Sequence, residues 1–88
     1  MKTLLLQIKK VYLDQIEAGT KTIDYRDCTE YWIDRLIDEV LNPDTENESY
    51  IFKKFDQVMF LCGKKTLIKN HVKTEIDIEE GVFLIYIS

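Results

Sequence analysis

A long period-two alternation, from Thr66 to Ile78, constrains the fold of this chain more than any other feature. Successive side chains of a strand point to opposite faces of a sheet, so this pattern predicts a half-exposed antiparallel strand. Such a strand late in the chain argues against a doubly wound parallel sheet. The expected apolar face is Thr66, Ile68, Asn70, Val72, Thr74, Ile76 and Ile78, and the expected charged face is Lys69, His71, Lys73, Glu75 and Asp77, with Leu67 at its start.

Shorter segments also have the composition of strands. Thr3 to Lys9 is an apolar run of the length expected for a buried first strand. Tyr50 to Phe52 and Gln57 to Cys62 predict two further strands. Val82 to Ile87 is apolar along its whole length, which predicts a central strand covered on both faces, and a turn at Glu79 to Gly81 precedes it.

A short amphipathic helix is predicted from Val11 to Ala18, because Tyr12 and Ile16 lie four residues apart on one face. Gly19 follows it, where the residue just past a helix commonly needs a positive φ. Thr20 to Arg26 then predicts a strand, since threonine, isoleucine and tyrosine favour extended backbone.

A second helix is predicted to begin near Asp27 or Thr29, either of which can cap its first turn. It is expected to end before Pro43, because the residue preceding a proline disfavours helical backbone. A polar loop would follow, from Asn42 to Ser49. The buried stripe of this helix would be Trp32, Ile33, Leu36, Ile37, Val40 and Leu41, which recur every four residues.

These elements predict one α+β domain over residues 1–88, a curled or barrel-like, mainly antiparallel sheet with two flanking helices. A chain of 88 residues has no room for a second core, and 45% apolar residues is ordinary for a globular protein. The net charge of −4 argues against a protein that coats nucleic acid non-specifically, although it permits a local basic pocket.

Neither a metal site nor a cofactor is expected. Cys28 and Cys62 match no metal-ligand spacing, and His71 is the only histidine. The apolar run near the start is too short for a signal-peptide core, and no segment reaches membrane-spanning length. We therefore expect a cytoplasmic protein with reduced thiols and no membrane partner.

The segment from Gly19 to Arg26 carries the candidate functional residues. Lys21, Asp24 and Arg26 place two cations and a carboxylate on a short length of backbone beside Tyr25. In a regular strand Asp24 and Arg26 share one face and can pair. Lys21 would then lie on the opposite face, unless the strand starts irregularly after Gly19. Such a cluster could hold a polar or anionic small group such as a nucleotide.

At the spacing Gly-x-Lys-x-x-acid-x-Arg, the chain resembles the ASCH domain of the PUA-like superfamily. The positions are Gly19, Lys21, Asp24 and Arg26, preceded by the strand residue Lys9 and the first helix. The resemblance implies a small β-barrel with flanking helices, whose pocket meets RNA or a modified nucleoside. In that pocket Lys9, Lys21 and Arg26 would bind phosphate or base, and Asp24 would orient them. Tyr25 or Tyr31 would stack on a base.

The resemblance leaves catalysis open. One ASCH branch hydrolyses the amide of N4-acetylcytidine with a lysine, a threonine and a glutamate, and others are similar to ribonucleases. Lys21 matches the lysine, but Asp24 stands where the threonine would be. Glu75 and Glu79 are both candidates for the glutamate. Lys21 and Asp24 are therefore the candidate catalytic residues of a hydrolase, whether an amidohydrolase or a ribonuclease.

Two further interpretations come from the charges. A basic rim could orient a phosphodiester, although the same lysines could equally be a solvated strand face that discourages edge pairing. Acidic residues of the second helix and its loop could bind a protein partner, the pocket then being vestigial. The rim residues are Lys9, Lys10, Lys64, Lys65, Lys69 and Lys73, with His71 between the last two; the acidic ones are Asp34, Asp38, Glu39, Asp44, Glu46 and Glu48.

Overall fold

The computed structural model describes residues 1–42 and 49–88. It contains two α-helices, α1 (Lys10–Ala18) and α2 (Glu30–Leu36). The strands are β1 (Thr3–Gln7), β2 (Ile23–Asp27), β3 (Ile37–Leu41), β4 (Ser49–Phe52), β5 (Gln57–Cys62), β6 (Lys65–Asp77) and β7 (Val82–Ile87). Of the predicted polar loop from Asn42 to Ser49, residues 43–48 lie outside the described residues.

The strands form a five-stranded sheet in the order β1-β5-β6-β7-β2 and a separate β3-β4 pair. Among the strand pairs of the described residues, only β1–β5 is parallel. The α+β prediction with a mainly antiparallel sheet is therefore confirmed. In the described part of the chain the sheet does not close on itself, because its two outer strands, β1 and β2, do not pair with each other.

The long strand β6 joins the two halves of this sheet. It pairs with β5 along its first part and with β7 along its second, and the register shifts between His71 and Lys73. A bulge inserts an extra residue and re-aims the side chains that follow it. Because of this shift, His71 and Thr74 lie on the same side, and their side chains hydrogen bond (Nε2 to Oγ1, 2.8 Å).

The predicted apolar and charged faces of this strand are consequently wrong before the bulge. Ile68 and Val72 are 50% and 56% exposed, whereas Lys69 is half-buried on the core-facing side, in register with the buried Val58. Beyond the bulge the predicted faces hold as far as the strand extends, since Thr74 is buried and Ile76 half-buried; Ile78, past the strand end at Asp77, is 66% exposed.

The core lies between the inner face of the sheet and the helices. β1 and β5 contribute alternate buried residues, α1 adds Leu13 and Ile16, and α2 adds Leu36. The prediction that β7 is covered on both faces is wrong, because only every second residue of this strand is fully buried. The buried apolar residues are Leu4, Leu6, Leu13, Ile16, Leu36, Ile37, Val58, Phe60, Phe83, Ile85 and Ile87.

The second helix is shorter than the sequence predicts. Thr29 caps it by accepting a hydrogen bond from the Trp32 amide (3.4 Å), and it ends at Leu36. Ile37 is already extended, and Lys53 donates its amide to the Leu36 carbonyl at 2.9 Å. Residues 37–41 form a strand with β4 instead, because Ile37 and Val40 are β-branched and sheet pairing satisfies their backbone.

Two features bear on localisation and redox state. No helix in the described ranges is long and apolar enough to cross a membrane. Cys28 and Cys62 are both free thiols.

Candidate functional site

A hollow of about 670 Å³ opens between the two outer strands of the sheet. β1 runs into it from one side and β2 from the other, and α1 covers one end. We call it the first hollow. It is lined by Gln7, Ile8, Lys9, Tyr12, Lys21, Asp24, Tyr25 and Arg26.

Asp24 and Arg26 form a buried ion pair in the wall of this hollow. Asp24 lies in register with the core residue Ile85, which places it on the inner face of the sheet, only 4% exposed. Arg26 donates from Nε to Asp24 Oδ2 at 2.6 Å. A buried carboxylate needs such a partner, because desolvation otherwise penalises its charge. The predicted pairing is therefore confirmed, and it is a buried pair.

Arg26 also connects the two outer strands. Its Nη2 donates to the Gln7 carbonyl, at the end of β1, at 2.9 Å. This bond spans the gap that backbone pairing leaves open between β1 and β2. Nη1 has no hydrogen-bond partner among the described residues, so its two N–H groups are available to a ligand.

Lys21 enters the same hollow from the other side of β2. Its ammonium lies 5.3 Å from the ring centroid of Tyr12 and 5.2 Å from that of Tyr25. No carboxylate among the described residues pairs with it. Two tyrosine rings around a cation stabilise its position by cation–π attraction and leave its N–H groups free for an anion.

The backbone after α1 explains how Lys21 reaches the hollow. Gly19 adopts φ 82°, and the amides of Thr20 and Lys21 both donate to the Gln15 carbonyl, at 3.0 and 3.2 Å. β2 begins only at Ile23, so Lys21 belongs to a turn fixed on the end of α1. The strand start is thus irregular. Lys21 lies on the side of Tyr25, opposite Asp24 and Arg26, but all four line the hollow because it wraps around the edge of β2.

A second hollow, of about 430 Å³, adjoins the first. The two share Gln7 and Arg26, which are hydrogen bonded to each other, so this pair of residues lies at the boundary between them. Arg35 lies over the ring of Tyr31 at 4.3 Å, and Arg26 lies over that of Trp32 at 5.3 Å. The lining is Leu5, Gln7, Arg26, Tyr31, Trp32, Arg35 and Leu61.

The two hollows together are positively charged on an acidic protein. Asp24 neutralises Arg26, and no other carboxylate of residues 1–42 and 49–88 lines either hollow. Lys9, Lys21 and Arg35 have no carboxylate partner in the described ranges. A concentration of unpaired cations in concave surface attracts an anionic ligand more strongly than the net charge of the chain suggests.

Of the predicted site residues, the structure brings Lys9, Lys21, Asp24, Tyr25 and Arg26 around the first hollow, and it places Tyr31 in the second. The spacing of Tyr31 and Arg35, four residues apart on a helix, could have indicated their contact from sequence. Tyr12 was missed as a lining residue because its spacing to Ile16 placed it in a buried stripe, whereas it is 45% exposed.

The predicted basic rim does not form. Lys69 and His71 lie before the bulge on the inner side, whereas Lys73 lies after it and pairs with Glu75 at 2.8 Å. Lys65 pairs with Glu17 at 3.0 Å and Lys10 faces Asp14 at 3.8 Å. Among the rim residues, Lys9 alone lines the first hollow.

Other titratable groups lie outside both hollows. Burial lowers the pKa of His71, and it outweighs a backbone hydrogen bond at Phe55. Burial, with the negative charges of Asp27 and Asp77, raises the pKa of the Cys28 thiol. Within residues 1–42 and 49–88 no three His, Cys, Asp or Glu side chains cluster as a metal site would require.

Comparison with known proteins adds no relative. No protein-family model, no curated protein and no solved structure matches this chain.

Proposed function

We propose that this protein binds RNA or a modified nucleoside in the first hollow. The observation that carries the proposal is the convergence there of Lys9, Lys21 and the free Nη1 of Arg26 with the rings of Tyr12 and Tyr25. Cations beside exposed aromatic rings are what a nucleotide requires, because the phosphate is anionic and the base has a flat π-face.

Each group has a role in this proposal. Lys21 and Lys9 have positive charges that no carboxylate of the described residues neutralises, so they would bind the phosphate. Arg26 is held rigid by Asp24 and Gln7, so its outer N–H pair is preorganised to donate to a base edge or a phosphate oxygen. Tyr25 is 54% exposed and would stack on the base.

The ASCH resemblance agrees with this proposal. Lys21, Asp24 and Arg26 of the motif line the first hollow, and Gly19 caps the helix before them, which supports the pocket that the resemblance implies. We propose on this basis that the open sheet is a PUA-like barrel whose two outer strands are joined by Arg26 instead of by backbone pairing.

Binding is favoured over hydrolysis by the composition of the hollow. Its described lining residues include no glutamate, histidine or threonine. Asp24 is committed to Arg26, and Glu75 is held by Lys73 and by the Tyr86 hydroxyl on the sheet. Lys21 therefore has no free carboxylate or imidazole there with which to relay a proton.

Calorimetric titration with cytidine 5′-monophosphate at low salt tests the proposal. Lys21→Met should weaken binding at least about tenfold, since a hydrogen bond to a charged group contributes about 1.5–3 kcal/mol. Lys54→Met makes the same change in charge outside both hollows and should leave binding unchanged. Equal weakening by both variants, or no binding of the nucleotide or of short single-stranded RNA by the unmodified protein, would refute the proposal.

The same samples test hydrolysis. Incubation with N4-acetylcytidine should release no acetate above the uncatalysed rate. Release that Lys21→Met abolishes would instead establish the amidohydrolase.

A further inference from the structure

The second hollow extends the site beyond one nucleotide. It begins where the first ends, at the Arg26 side chain, and it has a different character. Two leucines form one wall, and two aromatic rings and a guanidinium form the other. Both hollows fall within the range of about 300–1,000 Å³ that is usual for ligand sites.

We infer that the ligand is an oligonucleotide, with one nucleotide in each hollow and the linking phosphodiester at Arg26. This inference rests on the proposed function. A single nucleoside would fill one hollow and leave the other side of Arg26 unused. A phosphodiester at the boundary would receive the two Nη1 N–H groups of Arg26, which have no partner among the described residues.

The second hollow has the groups that stack an unpaired base. Tyr31 is 56% exposed; its ring makes a T-shaped contact with Trp32, at 4.9 Å between centroids, and lies beneath the guanidinium of Arg35. Single-stranded bases stack on aromatic rings and on arginine planes. Such stacking tolerates any base, so this hollow would add affinity with little sequence preference.

Charge also favours a ligand that spans both hollows. Lys9 and Lys21 lie on one side of Arg26 and Arg35 on the other, and none of the three has a carboxylate partner in the described ranges. One phosphate would leave Arg35 uncompensated. A chain with phosphates on both sides of the boundary would neutralise all three cations.

The experiment compares cytidine 5′-monophosphate with the dinucleotide CpC carrying a phosphate at both its 5′ and its 3′ end. Binding is measured by calorimetry and by the fluorescence of Trp32, the chain's single tryptophan, which lines the second hollow and not the first. The dinucleotide should bind at least about tenfold more tightly, since one stacked base contributes about 1–3 kcal/mol. It should also change the Trp32 emission, which the mononucleotide should leave nearly unchanged.

Variants assign the effect to the second hollow. Tyr31→Ala should weaken the dinucleotide about tenfold and leave the mononucleotide unaffected, whereas Tyr31→Phe keeps the ring and should bind normally. Arg35→Gln should weaken the dinucleotide and lower the salt slope of its binding by about 0.7, and Lys54→Gln serves as the matched charge change. The side chains of Tyr31, Arg35 and Lys54 are all exposed, and circular dichroism checks that each variant folds.

The outcomes separate this inference from the proposed function. Equal affinities for the two probes, or a loss on Tyr31→Ala that is the same for both, overturns the inference and leaves the nucleotide site standing. If neither probe binds, both fail. If the Tyr31→Ala and Arg35→Gln variants lose affinity for the dinucleotide alone, the result supports the inference.

Discussion

Replacing Arg26 by methionine should destabilise the fold far more than a surface substitution does. The Asp24 side chain is 5% exposed and that of Arg26 18%, and their atoms approach to 2.6 Å. Without the arginine, Asp24 is left as an unpaired carboxylate on the inner face of the sheet. Removing one partner of a buried pair typically costs about 3–5 kcal/mol, and the partial exposure of Arg26 favours the lower end, about 3 kcal/mol.

The value of about 3 kcal/mol is a large share of the stability of a small domain, which is about 5–15 kcal/mol. It should lower the melting temperature by about 12–24 °C, since each kcal/mol shifts a domain of this size by about 4–8 °C. Methionine keeps the apolar length of the side chain, so the loss isolates the ion pair and the bond to the Gln7 carbonyl. Urea unfolding followed by circular dichroism measures it.

Two companion variants make this result interpretable. Adding Asp24→Asn to Arg26→Met removes the unpaired charge and should restore about half of the lost stability, because a neutral amide is cheaper to bury. Lys10→Met breaks the exposed pair with Asp14, whose side chains are 79% and 53% exposed, and should change stability by less than about 0.5 kcal/mol. If Arg26→Met costs no more than Lys10→Met, Asp24 is not a buried charge that depends on Arg26, and the argument for a preorganised guanidinium fails.

Three further predictions concern groups outside the hollows. Burial lowers the pKa of His71 in the folded state, so unfolding below the ordinary pKa takes up a proton. The contribution of His71 to the free energy of unfolding should be full above about pH 6.5 and decline below it by at most about 1.4 kcal/mol per pH unit. Melting curves between pH 7.5 and 5.5 measure this decline, which His71→Gln should flatten. The raised pKa of the Cys28 thiol predicts slow alkylation by iodoacetamide at pH 8 that accelerates in urea, and a native rate equal to the unfolded one would contradict it. Val72→Lys should change the free energy of unfolding by less than about 0.5 kcal/mol, whereas Thr74→Lys should cost more than about 2 kcal/mol; similar costs would mean that the bulge in β6 is misplaced.

Local signals in the sequence were sufficient for most elements. The bounds of β5 and β7 match the prediction; α1 begins one residue earlier than predicted, and Gly19 caps it as predicted. Glycines mark the ends of these elements in the sequence, since Gly19, Gly63 and Gly81 all adopt positive φ at element ends. Strand periodicity places Asp24 and Arg26 on one face, where they can pair.

The errors arise where tertiary pairing decides between two local patterns. The recurrence of Ile37, Val40 and Leu41 is compatible with a helix, yet these residues are extended because β4 offers them backbone partners. In β6, period two is correct locally, but the bulge between His71 and Lys73 changes which side each residue faces. The position of this bulge cannot be predicted from local sequence, because it depends on the pairing of β6 first with β5 and then with β7.

The same curling of the sheet determines what the site can do. Were β1 and β2 paired by their backbones, their edges would be joined along their length and the first hollow would have no opening between them. Among the described residues the Arg26 side chain links β1 and β2, and a hollow lies on each side of it. The ion pair between Arg26 and Asp24 stabilises this link and also fixes the guanidinium where the two hollows meet. If the protein binds a nucleotide as proposed, stability and recognition therefore depend on one residue. A nucleotide that binds at Arg26 should accordingly protect the fold, raising the melting temperature of the unmodified protein.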